Sequence, residues 1–184
     1  MREYRLFFLC LTVVGCTDLN PKNLDQLILE NEIYLDGETM DPYSGPVREY
    51  FPGTESLLRR KGYLVDGMWD GLYEYYYENG QIKFKNTYDE GVWDGLAEEY
   101  YRNGQLRRRE NYKNNALDGL AEEYFEDGQL RRRENYQEDV LSGQIELYDE
   151  DGQLLEKGRG MFGLKCGEWI EYGKTLNHRP CLEK

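Results

Sequence analysis

The chain has 184 residues, with 36 acidic against 23 basic side chains, a formal charge of −13 and one histidine. A single histidine excludes most histidine-based catalysis and metal chemistry. The charge argues against nucleic acid, whose binding rests on releasing counterions from phosphates.

A mean hydropathy of −0.86 is too polar for an ordinary closed core, yet 17 tyrosines and 20 glycines are too many for a disordered acidic chain. Together they imply an ordered, surface-rich aromatic sheet. In chain order, residues 1–15 come first: Arg2 and Arg5, an apolar run from Leu6 to Val14, then Gly15. This is the layout of a secretory signal; a membrane span needs about 20 apolar residues. Val13-Val14-Gly15-Cys16 resembles the lipobox of bacterial lipoproteins. That resemblance implies removal of residues 1–15, acylation of Cys16 with palmitate-type chains, and anchoring in the cell envelope. Thr17 in place of Asp after the cysteine resembles outer-membrane sorting in a Gram-negative host. Removal of two arginines and one glutamate leaves the mature chain one charge more acidic. Residues 16–32 are expected as a tether.

Residues 33–173 are a repeat array. Asp94–Tyr112 recurs as Asp118–Tyr136 with 16 of 19 positions identical. Gly71, Gly95, Gly119, Gly143 and Gly167 keep a period of 24, and Gly45 precedes them by 26. Five residues after each stands a tyrosine: Tyr50, Tyr76, Tyr100, Tyr124, Tyr148 and Tyr172. Gly80, Gly104, Gly128 and Gly152 share the period inside Asn-Gly-Gln or Asp-Gly-Gln, a strong hairpin signal because glycine supplies the positive φ. Each unit is thus a β-hairpin. A three-residue turn over Arg102-Asn103-Gly104 pairs Tyr100 with Leu106, Glu99 with Arg107 and Glu98 with Arg108; a two-residue turn pairs Tyr101 with Leu106 instead. Before the period glycines, Trp69, Trp93, Leu117 and Leu141 plug the linking turns.

Residues 174–184 are expected as a C-terminal tail or cap, with His178 exposed. Cys166 and Cys181 stand 15 apart, a separation that suits one disulfide and equally two separate thiols. Two cysteines and one histidine do not make a zinc site, and no metal or other cofactor is expected.

The pattern Gly-(four residues)-Tyr-Tyr-x-Asn-Gly, followed by Tyr-x-x-Gly-x-x-x-Gly as in Gly71 to Gly95, resembles the MORN repeat in its bacterial variant, over about residues 33–173. The resemblance implies an all-β fold: an elongated antiparallel β-meander of about six hairpins in a single twisted sheet. About 12 strands at 4.8 Å give a ribbon roughly 55 Å long.

Alternate strand residues point to opposite faces, so Arg107–Arg109 and Arg131–Arg133 form no patch by themselves and are compensated by Glu98, Glu99, Glu122 and Glu123. Phospholipid headgroup binding, known in some MORN proteins, is disfavoured by the surrounding acidity. The same glutamates lack the two unlike environments that glycoside cleavage demands, so no catalytic residue is assigned. Trp69, Tyr73, Tyr75, Tyr77 and Trp93 are the candidate binding strip. The leading expectation is a lipid-anchored, non-catalytic module that binds a protein or peptide. The alternative, implied by likeness to YwqK-type antitoxins, is neutralisation of a toxin; an envelope-glycan enzyme ranks third.

Overall fold

The computed structural model describes residues 20–181. Strand β1 (Lys22–Asn23), a 3-10 turn (Leu24–Gln26), β2 (Leu27–Glu30) and β3 (Ile33–Asp36) precede the array. The array begins with β4 (Gly45–Tyr50), β5 (Leu58–Val65), β6 (Met68–Trp69), β7 (Gly71–Tyr76) and β8 (Ile82–Asp89). It continues through β9 (Val92–Tyr100), β10 (Leu106–Lys113), β11 (Ala116–Tyr124) and β12 (Leu130–Gln137). It ends with β13 (Val140–Tyr148), β14 (Leu154–Met161), β15 (Leu164–Glu171) and β16 (Lys174–Asn177).

Fourteen strands form one open sheet in chain order from β4 to β16, with β1 added in parallel beside β4; β2 and β3 form a separate hairpin. The expected all-β meander is the observed fold. Two turn types alternate along it. At the Asn-Gly and Asp-Gly turns, the Gly104 N–H donates to the Tyr101 carbonyl (3.0 Å), and the Tyr101 N–H donates to the Gln105 carbonyl (2.8 Å). Gly104 has φ +87°, the left-handed residue that a three-residue hairpin loop requires. The linking turns instead put both central residues at positive φ, as in Asn114 and Asn115 or Glu138 and Asp139, which is the type I′ hairpin.

Tyr100 faces Leu106 as expected, but Glu99 faces Arg108 and Glu98 faces Arg109, not Arg107 and Arg108. A β-bulge directly after Leu106 corrects the expected register by one residue. Irregularities recur at the same place in the other hairpins, between Glu49 and Tyr50, Tyr75 and Tyr76, Glu123 and Tyr124, and Leu147 and Tyr148. Two residues against one bend the strand and raise its twist, and all three arginines of each triplet then reach separate carboxylates.

Neighbouring units are joined along both margins. Tyr77 Oη donates to the Tyr100 carbonyl and Tyr101 Oη to the Tyr124 carbonyl, both at 2.8 Å. On the opposite margin, Trp93 N–H donates to Asn115 Oδ1 (2.7 Å) and Leu117 N–H to Asp139 Oδ1 (2.8 Å). A lone hairpin is marginal in water; these contacts add each unit to the next, as in other repeat arrays.

The fully buried side chains lie at the two ends. Leu24, Leu27, Val47 and Leu64 pack with Tyr34, Tyr43 and Trp69 at one, and Trp169 is only 1% exposed at the other. The described part of the expected tether therefore carries strands β1 and β2 and two core leucines. The expected tail contributes β16, paired through Trp169–Leu176 after a Tyr172-Gly173 turn. Cys166 and Cys181 are joined as a disulfide, with sulfurs 2.05 Å apart.

Candidate functional site

The back face carries one continuous ladder of charge. Lys61, Glu74, Lys85, Glu98, Arg109, Glu122, Arg133, Glu146 and Lys157 stand opposite one another from strand to strand. Cation and carboxylate alternate at every step. Lys61–Glu74 (2.7 Å), Arg109–Glu98 (3.3 Å), Arg133–Glu122 (3.0 Å) and Lys157–Glu146 (2.9 Å) are closed ion pairs. Glu98, Glu122 and Glu146 are buried beneath the alkyl stems of these cations. Each also accepts a hydroxyl from a period tyrosine: Tyr100, Tyr124 or Tyr148. The Lys157 ammonium, hydrogen-bonded to Glu146, is the main cause that holds that carboxyl below its ordinary range.

The remaining arginines are paired as well: Arg107 with Glu99 (2.7 Å), Arg108 with Glu110 (3.6 Å), Arg131 with Glu123 (3.0 Å) and Arg132 with Glu134 (3.6 Å). The two triplets form a compensated surface.

Tyr100 on the back face and Tyr112 and Tyr136 on the front are each pushed up to about 12, first by burial and then by the carboxylates Glu98, Glu110 and Glu134 beside them. A raised folded-state value stabilises the neutral phenol. The contribution is complete below the ordinary 10.0 and is lost as pH rises through about 12. Ultraviolet difference titration is expected to show three tyrosinates forming near pH 12 together with loss of strand circular dichroism. Ionisation of all the tyrosines with a midpoint at the ordinary 10.0 in a folded protein would contradict this.

The front face holds a shallow trough. One column of equivalent positions runs Val47, Tyr73, Ala97, Ala121, Ile145 and Trp169. At one end Tyr73 packs against Trp69, whose ring lies over Gly62, and at the other Trp169 lies over Gly158; the two alanines leave the middle open. Above Ala97 is a cavity of about 250 Å³ walled by Trp93, Tyr112 and Glu110. Above Ala121 is its counterpart of about 170 Å³, walled by Leu117, Tyr136 and Glu134. Glu110 and Glu134 accept the hydroxyls of Tyr112 (3.1 Å) and Tyr136 (2.9 Å).

The candidate aromatic strip is only partly assembled. Trp69, Tyr73 and Trp93 join a row with Tyr34, Tyr88 and Tyr112, at ring separations from 4.8 to 6.5 Å. Tyr75 packs instead on Phe84 (6.0 Å), and Tyr77 sits at the turn margin, held by Tyr100. All five are half-buried, so the row forms a wall of the trough and not a free strip. His178 is exposed near Glu171 and Trp169. Among the described residues no cluster of candidate metal ligands occurs and no helix is long and apolar enough to cross a membrane. Cys16, the expected lipidation site, lies outside the described residues.

Residues 69–90, 93–114 and 117–138 match the MORN repeat variant. Each matched segment opens on its plug residue, Trp69, Trp93 or Leu117. No curated protein matches the chain. MORN repeats generally serve as modules for interaction with proteins and membranes, and the three matched segments contain both alanines of the trough. The alanines gave no signal in a reading that looked for large or charged side chains; tabulating the position three residues before each period tyrosine would have exposed them.

Proposed function

We propose that the chain is a non-catalytic, lipid-anchored interaction module of the bacterial envelope that holds an extended segment of a partner protein along the front trough. The observation that carries this reading is the pair of equivalent cavities over Ala97 and Ala121, one per repeat. Each repeat advances two strands, about 9.6 Å. A polyproline II segment advances about 9.3 Å per three residues, so every third side chain would meet an equivalent cavity. Equivalence also supports a non-catalytic role: Glu98 and Glu122 each pair with an arginine and accept a tyrosine hydroxyl, and neither is set apart as an acid.

The test fills the trough with the residues that already occupy its ends. An Ala97→Tyr, Ala121→Ile double variant is expected to keep its melting temperature and to lose the partner that the chain with both alanines captures through a photoreactive diazirine analogue of leucine placed at position 117. Retention of the crosslink would overturn the reading. Neutralisation of a toxin is one form of the same binding and would be lost in the same variant. Anchoring is tested separately: radiolabelled palmitate should enter the wild type and not a Cys16→Ala chain, and unprocessed protein in the cytosol would refute it.

A further inference from the structure

The back-face ladder contains one inversion. Two residues before the period tyrosine stand Glu74, Glu98, Glu122 and Glu146 in four consecutive units, but Arg48 in the first. On β4, Arg48 faces Lys61 of β5 directly, so the alternating series begins with two cations side by side. Like charges in opposite positions destabilise a sheet. Arg48 Nε donates to Asn23 Oδ1 (3.3 Å), and the guanidinium lies over the Tyr50 ring at 5.4 Å. Among the described residues Arg48 has no ion-pair partner, whereas Lys61 is shared with Glu74 at 2.7 Å. Every other cation of the ladder has a carboxylate opposite it.

The two cations open into a cavity of about 570 Å³ whose apolar walls are Pro21, Pro46, Leu58 and Leu72. Leu72 is 48% exposed, an apolar surface left to water beside an uncompensated charge. Ligand sites combine such apolar walls with a few placed polar groups.

We infer that this cavity binds an apolar carboxylate. The ligand's carboxylate takes, between Arg48 and Lys61, the place that a ladder glutamate takes between two cations, and its hydrocarbon part covers Pro46 and Leu72. A planar guanidinium fork suits a carboxylate. Glu74 also lines the cavity, paired with Lys61 at 2.7 Å, and disfavours a second negative charge, so a monoanion fits better than a phosphate dianion. Two sources present this chemistry, a free medium-chain acid and the terminal carboxylate of a peptide ending in an apolar residue.

Titration calorimetry on the full chain, at about 0.15 M salt to screen its net negative charge, tests the site. The probes are octanoate against octanamide, and acetyl-Ala-Ala-Leu against its C-terminal amide. At least one acid is expected to bind, and its neutral partner more weakly by about tenfold or more. Binding of octanoate alone assigns a free acid; binding of the peptide acid alone assigns a chain terminus; binding of both assigns the shared carboxylate. Arg48→Glu restores the residue of the other units, so it is expected to fold with a raised melting temperature and to weaken acid binding by about tenfold or more. Equal binding of acid and amide, no binding of either acid, or undiminished binding by a folded Arg48→Glu chain would each overturn the site.

Discussion

Trp169→Ala melts the C-terminal end of the ribbon and leaves the central repeats folded. The side chain is 1% exposed, and its ring lies so close over Gly158 that a Cβ there would stand 2.2 Å from it. The indole N–H donates to the Arg159 and Cys166 carbonyls (3.2 and 3.0 Å), and Lys165 Nζ covers the ring at 4.4 Å. Truncation opens a cavity that the rigid pair of strands cannot close, at a cost of about 3–5 kcal/mol. In a repeat array each unit touches chiefly its neighbours, so the loss is confined. Hydrogen exchange is expected to accelerate over residues 154–177 while residues 92–124 keep their protection. A uniform loss of protection along the chain would show that the ribbon unfolds as a single unit.

Leu64→Ala does the same at the opposite end. Leu64 is 0% exposed and packs with Leu24, Leu27, Val47 and Trp69. Its truncation is expected to cost about 2–5 kcal/mol. The β2–β3 hairpin, fixed to the turn after β5 by Tyr34 N–H to the Gly67 carbonyl (2.9 Å), should detach first. A red shift of Trp69 emission below the main melting transition reports it. The two substitutions share no partners, so the double variant should be additive within about 0.5 kcal/mol. A larger departure would mean coupling through the central units.

Much of this architecture was readable from the period of 24, because glycine at a positive φ and tyrosine on a strand are local demands that every unit must meet. The bulge after Leu106 was not readable, since it depends on twist accumulated between strands and leaves no mark on residue type. Residues 20–32 look like a tether because their apolar run, Leu27-Ile28-Leu29, is short and the segment is otherwise mostly polar; the core that Leu24 and Leu27 enter is completed only by Val47 and Leu64 from the sheet. Strand β16 was expected only as tail or cap because the turn that leads into it, Tyr172-Gly173, places a tyrosine at φ 49°, unusual for a bulky residue. The trough and the inversion at Arg48 share another cause. Both are departures from the repeat, and they appear only when equivalent positions are compared for what a unit lacks.

The disulfide also fixes where the ribbon yields to tension. A pull on residue 181 passes through the sulfurs to Cys166 in β15 and bypasses β16 altogether. The weakest geometry, in which an edge strand peels one hydrogen bond at a time, is thereby short-circuited. The load falls instead on the paired interior strands β14 and β15 and on the Trp169 packing, while reduction hands it back to the four-residue edge. Oxidation state thus sets the tensile strength of the C-terminal end without altering any repeat.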